Sequence, residues 1–254
     1  MNSIERKEYI LGMLDSEHSV RINELSQELK VTRETIRRDL YTLEDEGRIK
    51  KVHGGAILEI STGETDYKKR KIEKWKEKEQ IAKKAVSYIE EGDSIYLDYG
   101  TTTLALAKEI AKLKNITVVT NTLPIINVLV KNQEINLIIP GGVLRNNESS
   151  LFGQFALNNI CDIFVTIGFF GCSGIDSKAA ITSHHMGEVL ISKQMIQQSQ
   201  TSIVIADQSK FGSIALNRTA NFDDIDIVVT DYLPDGRYEL DYLGDHGVEL
   251  IVSN

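Results

Sequence analysis

Seven short apolar runs between residues 94 and 252 constrain this 254-residue chain more than any other feature. They are Ser94–Asp98, Ile116–Asn121, Ile135–Pro140, Ile163–Gly168, Ser202–Asp207, Ile225–Asp231 and Val248–Val252. Most are apolar at successive positions rather than at every second one, so as strands they need cover on both faces. Helical stretches separate several of them: Thr102–Leu113, Pro124–Lys131, Leu151–Ile160 and Met186–Ser199. Strands of this kind alternating with helices predict the α/β class, a mostly parallel sheet with helices on both sides. In such sheets a ligand sits at the carboxyl ends of the strands, which is where chemistry is to be sought.

The first 58 residues follow another pattern. Ile4, Ile10, Leu11 and Leu14 recur at helical spacing, as do Ile22, Leu25 and Leu29. A tight turn falls at Lys30–Thr32, around Val31. Thr32 is placed to cap a third helix through Ile36, Leu40 and Leu43, with Gly47 as its closing residue. Arg48–His53 then alternates enough to form a strand, with Ile49 and Val52 as core contacts. Gly54-Gly55 turns it into a hairpin returning along Ala56–Ile60.

Two short helices across a tight turn have helix-turn-helix spacing, in which the start of the second helix meets base edges in the major groove. Here that start carries Arg33, Glu34, Thr35, Arg37 and Arg38. An arginine can make two hydrogen bonds to a guanine edge, worth roughly 1–3 kcal/mol of discrimination. The other arginines, with Thr32 and Thr35, would hold phosphates, and Arg48, Lys50, Lys51 and His53 would add contacts from the wing. An amphipathic helical hairpin with a solvated basic face has the same periodicity, and periodicity alone does not choose between them.

Charge is distributed unevenly. The chain carries a net −8, made of −1 over residues 1–56, +3 over 57–84 and −10 over 85–254. Nucleic-acid binding needs local positive charge rather than a basic whole. Residues 59–75 read as a polar linker running into a helix that starts near Trp75. The run Tyr67–Lys71 within it reads either as solvated surface or as a supplementary contact to a DNA backbone. No apolar run approaches the roughly 20 residues of a membrane span, and the N-terminus has no signal-peptide pattern. Two cysteines, Cys161 and Cys172, fit a reducing cytosol and read as small buried residues. A cytoplasmic protein with no membrane partner is expected.

Polar residues gather after the strands. Asp98–Thr103 follows one and opens a helix, where free backbone N–H groups and the helix dipole favour an anion. The three threonines there serve equally as helix caps. No Gly-Lys-Ser/Thr follows, so nucleotide hydrolysis is not indicated, and no cofactor is implied. Thr120-Asn121, Pro140–Gly142, Gly171–Asp176 and Asp207–Phe211 lie after other strands, and Lys210 and Arg145 are candidate cations for a phosphate.

The string TIRRDLYTLEDEGRIKKVHGGA, residues 35–56, resembles the helix-turn-helix and wing of DeoR-type regulators. The resemblance implies a helix-turn-helix over Val20–Asp39 and a DNA-binding domain over residues 1–58. It continues through DYGTTT, TVVTN, PGG, SSLFGQFA, GCSGID, GEVLISKQMI and ADQSKFG, which look like landmarks of the DeoR-type sensor domain. That domain, here residues 76–254, is similar in fold to ribose-5-phosphate isomerase. The resemblance implies a phosphorylated sugar as effector. Its contacts would be Gly100, Thr101, Thr102, Thr103, Asn121, Gly141, Gly142, Ser150, Gly153, Glu188, Lys193 and Lys210, beside Asp98 and Arg145. One stretch departs: IDSKAAITSHHMGE lacks the usual glycine before its final threonine and carries His184-His185. Adjacent histidines rarely ligate one ion, so a pocket-lining or surface role is expected for them and no metal site.

The expected function is a repressor of a carbohydrate operon that binds double-stranded operator DNA as a dimer or tetramer. A phosphorylated sugar would release or modulate it. The alternative is a sugar-phosphate isomerase-like enzyme with an appended DNA-binding module, using Asp98, Glu188 and Lys210 for proton transfer.

Overall fold

A computed structural model describes residues 2–17, 19–45, 48–52, 54–58, 67–232 and 238–253. The N-terminal unit contains α1 (Ser3–Glu17), β1 (Ser19–Arg21), α2 (Ile22–Glu28), α3 (Arg33–Asp45), β2 (Ile49–Val52) and β3 (Gly55–Leu58). Its strands pair antiparallel in the order β1-β3-β2. The strand β1 is an addition to the expected hairpin, too short at three residues to leave a periodic signal. Lys30 takes a left-handed backbone, φ 52°, in the turn between α2 and α3. Thr32 Oγ1 accepts the backbone N–H of Thr35 at 3.2 Å, the expected cap. Gly47, His53 and Ile60 lie outside the described residues.

Ile10, Leu14, Leu25, Ile36, Leu40 and Ile49 are fully buried and close this unit's core. Two expected core residues are not in it: Ile4 is 63 % exposed and Val52 is 44 % exposed. A polar contact joins α1 to α3 at the edge of this core. Arg6 Nε and Nη2 donate to the Asp39 carboxylate at 2.5 and 3.1 Å, and Ser3 Oγ donates at 3.2 Å.

The helices α4 (Tyr67–Ile72) and α5 (Trp75–Ala85) lead into a second unit. It runs β4 (Ser94–Leu97), α6 (Thr101–Ile110), β5 (Ile116–Thr120), α7 (Leu123–Leu129), β6 (Ile135–Ile138), β7 (Val143–Arg145), β8 (Ser150–Phe152), α8 (Gln154–Ile160) and β9 (Val165–Phe170). It continues with β10 (Gly174–Asp176), β11 (Ala180–Ser183), α9 (Met186–Gln197), β12 (Ser199–Ile205), β13 (Asn217–Ala220), β14 (Ile227–Thr230), α10 (Tyr238–Asp245) and β15 (Glu249–Val252). The seven expected runs become the seven strands of one parallel sheet, in the order β15-β14-β12-β9-β4-β5-β6. Alternate residues feed opposite faces. Ile95, Leu97, Phe169, Ile203 and Val229 pack under α5, α6 and α7. Tyr96, Phe170, Val204 and Val228 pack under α8, α9 and α10.

Two small antiparallel sheets were not legible as strands: β7 with β8, and β10-β11-β13. Residues 151–152, expected to open a helix, lie in β8 instead, and α8 begins only at Gln154. Ala180, in the departing stretch, has φ 53°, a backbone that glycine adopts without strain and alanine does not. Cys172 is partly buried, but Cys161 is exposed, contrary to expectation, and both thiols are free. Among the described residues no helix is long and apolar enough to cross a membrane.

Candidate functional site

Chain order along the large sheet reverses between β4 and β9. From β4 the chain steps outward through β5 to β6; it then returns to β9 and steps the other way through β12, β14 and β15. The strand ends diverge at such a switch and leave a crevice. A cavity of about 260 Å³ lies there, near the lower end of small-molecule pockets, which start at roughly 300 Å³. Tyr99, Gly100, Thr101 and Thr102 line it from the end of β4, Gly171, Cys172 and Ser173 from the end of β9, and Ser209, Lys210 and Ser213 from beyond β12. A side chain at Gly171 would put its Cβ 2.9 Å from the Tyr99 carbonyl oxygen, so the two strand exits need glycine to come this close.

Gly100, with φ 122°, turns the chain directly into α6 and offers no capping side chain. The first N–H groups of the helix therefore have no partner within it and remain available to a bound anion. Lys210 and Lys78 also line the cavity, as do Arg70 and His184. Lys78 is 4 % exposed, and its Nζ donates to the backbone carbonyls of Arg70 and Glu73 at 2.6 and 2.8 Å. Burial lowers its pKa to about 8, against the pull of Asp207. Burial also pushes Asp207 upward, but Lys210, Ser209 and Lys74 outweigh it and hold that carboxylate below its ordinary value. Burial, then Arg70 and Lys210, lowers the pKa of His184. Burial raises the Cys172 thiol to about 12, which disfavours the nucleophilic thiolate.

The structure divides the predicted effector contacts. Gly100, Thr101, Thr102 and Lys210 line the cavity. Asp98 and Thr103 lie buried behind it: Ser192 Oγ reaches the two Asp98 oxygens at 3.0 and 2.9 Å, and Thr103 Oγ1 donates to the Gly100 carbonyl at 2.9 Å. Burial raises Asp98 well above an ordinary carboxylate. Asn121, Arg145, Ser150 and Glu188 form another buried group around β7, β8 and the start of α9. Ser150 and Arg145 both bond Glu188, and Asn121 Nδ2 donates to the Leu151 carbonyl at 2.9 Å. Burial lifts Glu188 to about 7 against both partners. Gly141 and Gly142 shape the backbone before β7, and Gly153 that before α8. Lys193 stands apart, on a separate depression beside Arg218 and Asn221.

Of the histidine pair, His184 lines the cavity, while His185 caps α9 and meets Phe152 edge-on at 4.8 Å. The cavity residues absent from the predicted contacts include Arg70 and Lys78. Lys78 had a sequence signal: it shares the helical stripe of Ile81, Ala82 and Ala85, all buried on α5. A lysine at a core position of an amphipathic helix needs a polar partner.

At the other end of the chain, Thr32, just before α3, is exposed, as are Arg33, Arg37 and Arg38 on that helix, opposite the buried Ile36, Leu40 and Leu43. On the wing, Lys50 is exposed and Arg48 half-buried. Lys51 is engaged locally, 2.8 Å from Glu44 and over the Tyr41 ring at 3.0 Å.

The family described as the DeoR C terminal sensor domain matches residues 73–232, and the DeoR-like helix-turn-helix domain matches residues 6–62. The glycerol-3-phosphate regulon repressor of Escherichia coli K12 is 32 % identical over 98 % of this chain and 99 % of its own length. The Bacillus subtilis HTH-type transcriptional repressor GlcR is 33 % identical over 98 % of this chain and 96 % of its own, and the uncharacterized regulator FruR of the same organism 36 % identical over 89 % and 90 %. Among solved structures, a D-ribose-5-phosphate isomerase in complex with phospho-erythronic acid aligns with 53 % of this chain at 18 % identity and a TM-score of 0.39. The chain spans about half, 52 %, of that isomerase's length. With a winged helix-turn-helix ahead of a seven-stranded α/β domain, and relatives matched almost end to end, the chain belongs to the DeoR family of transcriptional regulators.

Proposed function

We propose that this regulator is a cytoplasmic repressor whose β4–β9 cavity takes a phosphorylated sugar, and that binding releases it from operator DNA. Residues 1–58 read the DNA, 59–75 connect, and 76–254 sense; the working unit is a homo-oligomer, since paired half-sites need paired readers. One observation carries the ligand class: Lys210, Lys78 and the start of α6 face a single cavity at the switch point of the sheet. The hydroxyls of Thr101, Ser173 and Ser213 on the same walls suit a polyol. The isomerase alternative draws no support from Asp98 and Glu188. Both are fully buried, bonded to serines, and absent from the cavity lining.

Lys210→Ala removes one charged partner of the phosphate. Such hydrogen bonds contribute about 1.5–3 kcal/mol, so effector affinity is expected to fall at least tenfold while operator affinity stays unchanged. Calorimetric titration with sugar phosphates and anisotropy titration of DNA check the two halves; normal effector release of this variant refutes the role of Lys210.

Affinity for a phosphate ester is also expected to fall as pH rises through 8, where Lys78 loses its proton. The ester itself is already a dianion there, its second pKa being about 6. Titrations at pH 7 and pH 9 measure this, and Lys78→Met should flatten the difference. The stability effect has the opposite sense. Unfolded, Lys78 keeps its proton to about 10.4, so between that value and 8 the unfolded chain binds more protons and this group's contribution improves with pH.

A further inference from the structure

We propose that Arg70 is a ligand contact and that the buried carboxylate of Glu148 occupies it while the cavity is empty, so an entering phosphate takes Arg70 from Glu148 and moves α4. This rests on the phosphorylated-ligand reading above. It adds which residue the anion competes with and how the DNA-reading unit would register the competition.

Arg70 is the inward member of the basic run Tyr67–Lys71. Lys68, Lys69 and Lys71 are exposed, but the Arg70 side chain is only 19 % exposed; its guanidinium pairs with Glu148 and lines the cavity. Glu148 is an expensive group to keep there. Its side chain is fully buried, and Oε2 has no hydrogen-bond partner among the described residues. Burial followed by the Glu148 charge raises the Tyr67 phenol to about 12, and the same charge adds to the rise at Glu188. A buried carboxylate needs close, complete pairing to offset its lost hydration, and among the described residues Glu148 is hydrogen-bonded at one oxygen only. A phosphate dianion beside Lys78 and Lys210 offers Arg70 more charge and more acceptor atoms than Glu148 does.

The position of Arg70 gives this exchange a readout. It lies on α4, the first described element after β3, the last strand of the DNA-reading unit. Polar ties that converge on the cavity hold α4 down. Besides the Glu148 pair, Lys78 grips the carbonyls of Arg70 and Glu73 at the end of α4. Lys74, left-handed at φ 51° in the break before α5, puts its Nζ 3.7 Å from Asp207. Apolar anchoring is thin: Tyr67 packs on the core, but Ile72 is 79 % exposed. A helix held chiefly by polar contacts around a ligand cavity moves when a ligand rearranges those contacts, and only such a difference in contacts shifts a population.

The test uses the full-length protein, with inorganic phosphate and glucose 6-phosphate as probes in calorimetry and operator DNA in anisotropy. Glu148→Gln removes the carboxylate charge that holds Arg70. It is expected to bind phosphate about tenfold more tightly and, without any ligand, to hold DNA about tenfold more weakly. The double variant Arg70→Met/Glu148→Leu replaces the pair by apolar side chains of similar size, a change that buried pairs tolerate. It is expected to fold, to bind phosphate at least tenfold more weakly, and to keep its DNA affinity when phosphate is added. If the wild type binds a probe and Glu148→Gln matches it in both measurements, the competition is refuted while the ligand reading stands. If the double variant still releases DNA normally, Arg70 is not the link. If the wild type binds neither probe, the ligand reading falls and this proposal with it.

Discussion

Replacing Arg37 and Arg38 together by alanine is expected to weaken operator binding by about 30-fold to 10⁴-fold. Each arginine that makes a bidentate contact to a guanine edge contributes roughly 1–3 kcal/mol, and the two losses add if the contacts are independent. Both side chains are exposed on α3 and belong to no core. Arg37 is 3.3 Å from Glu34, a surface pair worth under about 1 kcal/mol, so its removal costs the fold little. Anisotropy titrations at one fixed salt concentration measure the loss, because DNA affinity depends steeply on salt. Thermal unfolding of the variant should match the wild type. Unchanged DNA binding with an intact fold removes α3 as the recognition helix.

The neighbouring residue in the same string has a different task. Asp39→Ala is expected to cost about 3–5 kcal/mol, because it strands the buried Arg6 guanidinium without its carboxylate. For a unit of this size that is most of its stability, at roughly 0.05–0.15 kcal/mol per residue. The unfolding transition of residues 3–58 should collapse while that of the larger unit stays in place. Replacing both partners with apolar residues, Arg6→Met with Asp39→Leu, should restore much of the loss. Equal stability of Asp39→Ala and the wild type refutes the structural role of the pair. Within one short motif, then, Arg37 and Arg38 face outward and Asp39 faces inward to hold α1 onto α3.

Some of this architecture is readable without coordinates, for definite reasons. Parallel strands covered on both faces must be apolar at consecutive positions, so all seven members of the sheet, from Ser94 to Val252, stand out. The Thr32 cap is legible because capping is local, three residues to Thr35. The β10-β11-β13 sheet is not, because its strands are three or four residues long and include Asp176, Ser183 and Asn217, which look like loop.

The cavity was half legible. Glycine and threonine after a strand announce the start of α6, and Lys210 lies in a recognisable segment. Arg70 was hidden by its neighbours: four of five residues in Tyr67–Lys71 are basic, and its partner Glu148 is 78 residues away. No local pattern marks which member of a basic run turns inward. Ser150 and Glu188 were legible as a pair of polar landmarks, but not that each would be spent largely on the other.

The most direct measurement is an anisotropy titration of the full-length protein on DNA that it has itself selected from a random pool. Phosphorylated sugars and their unphosphorylated counterparts are added at constant ionic strength, with Lys210→Ala in parallel. The expected result is that a phosphorylated sugar releases the DNA, its unphosphorylated counterpart does not, and the Lys210→Ala complex resists release. Release that is indifferent to the phosphate, or equal in the wild type and Lys210→Ala, contradicts the account.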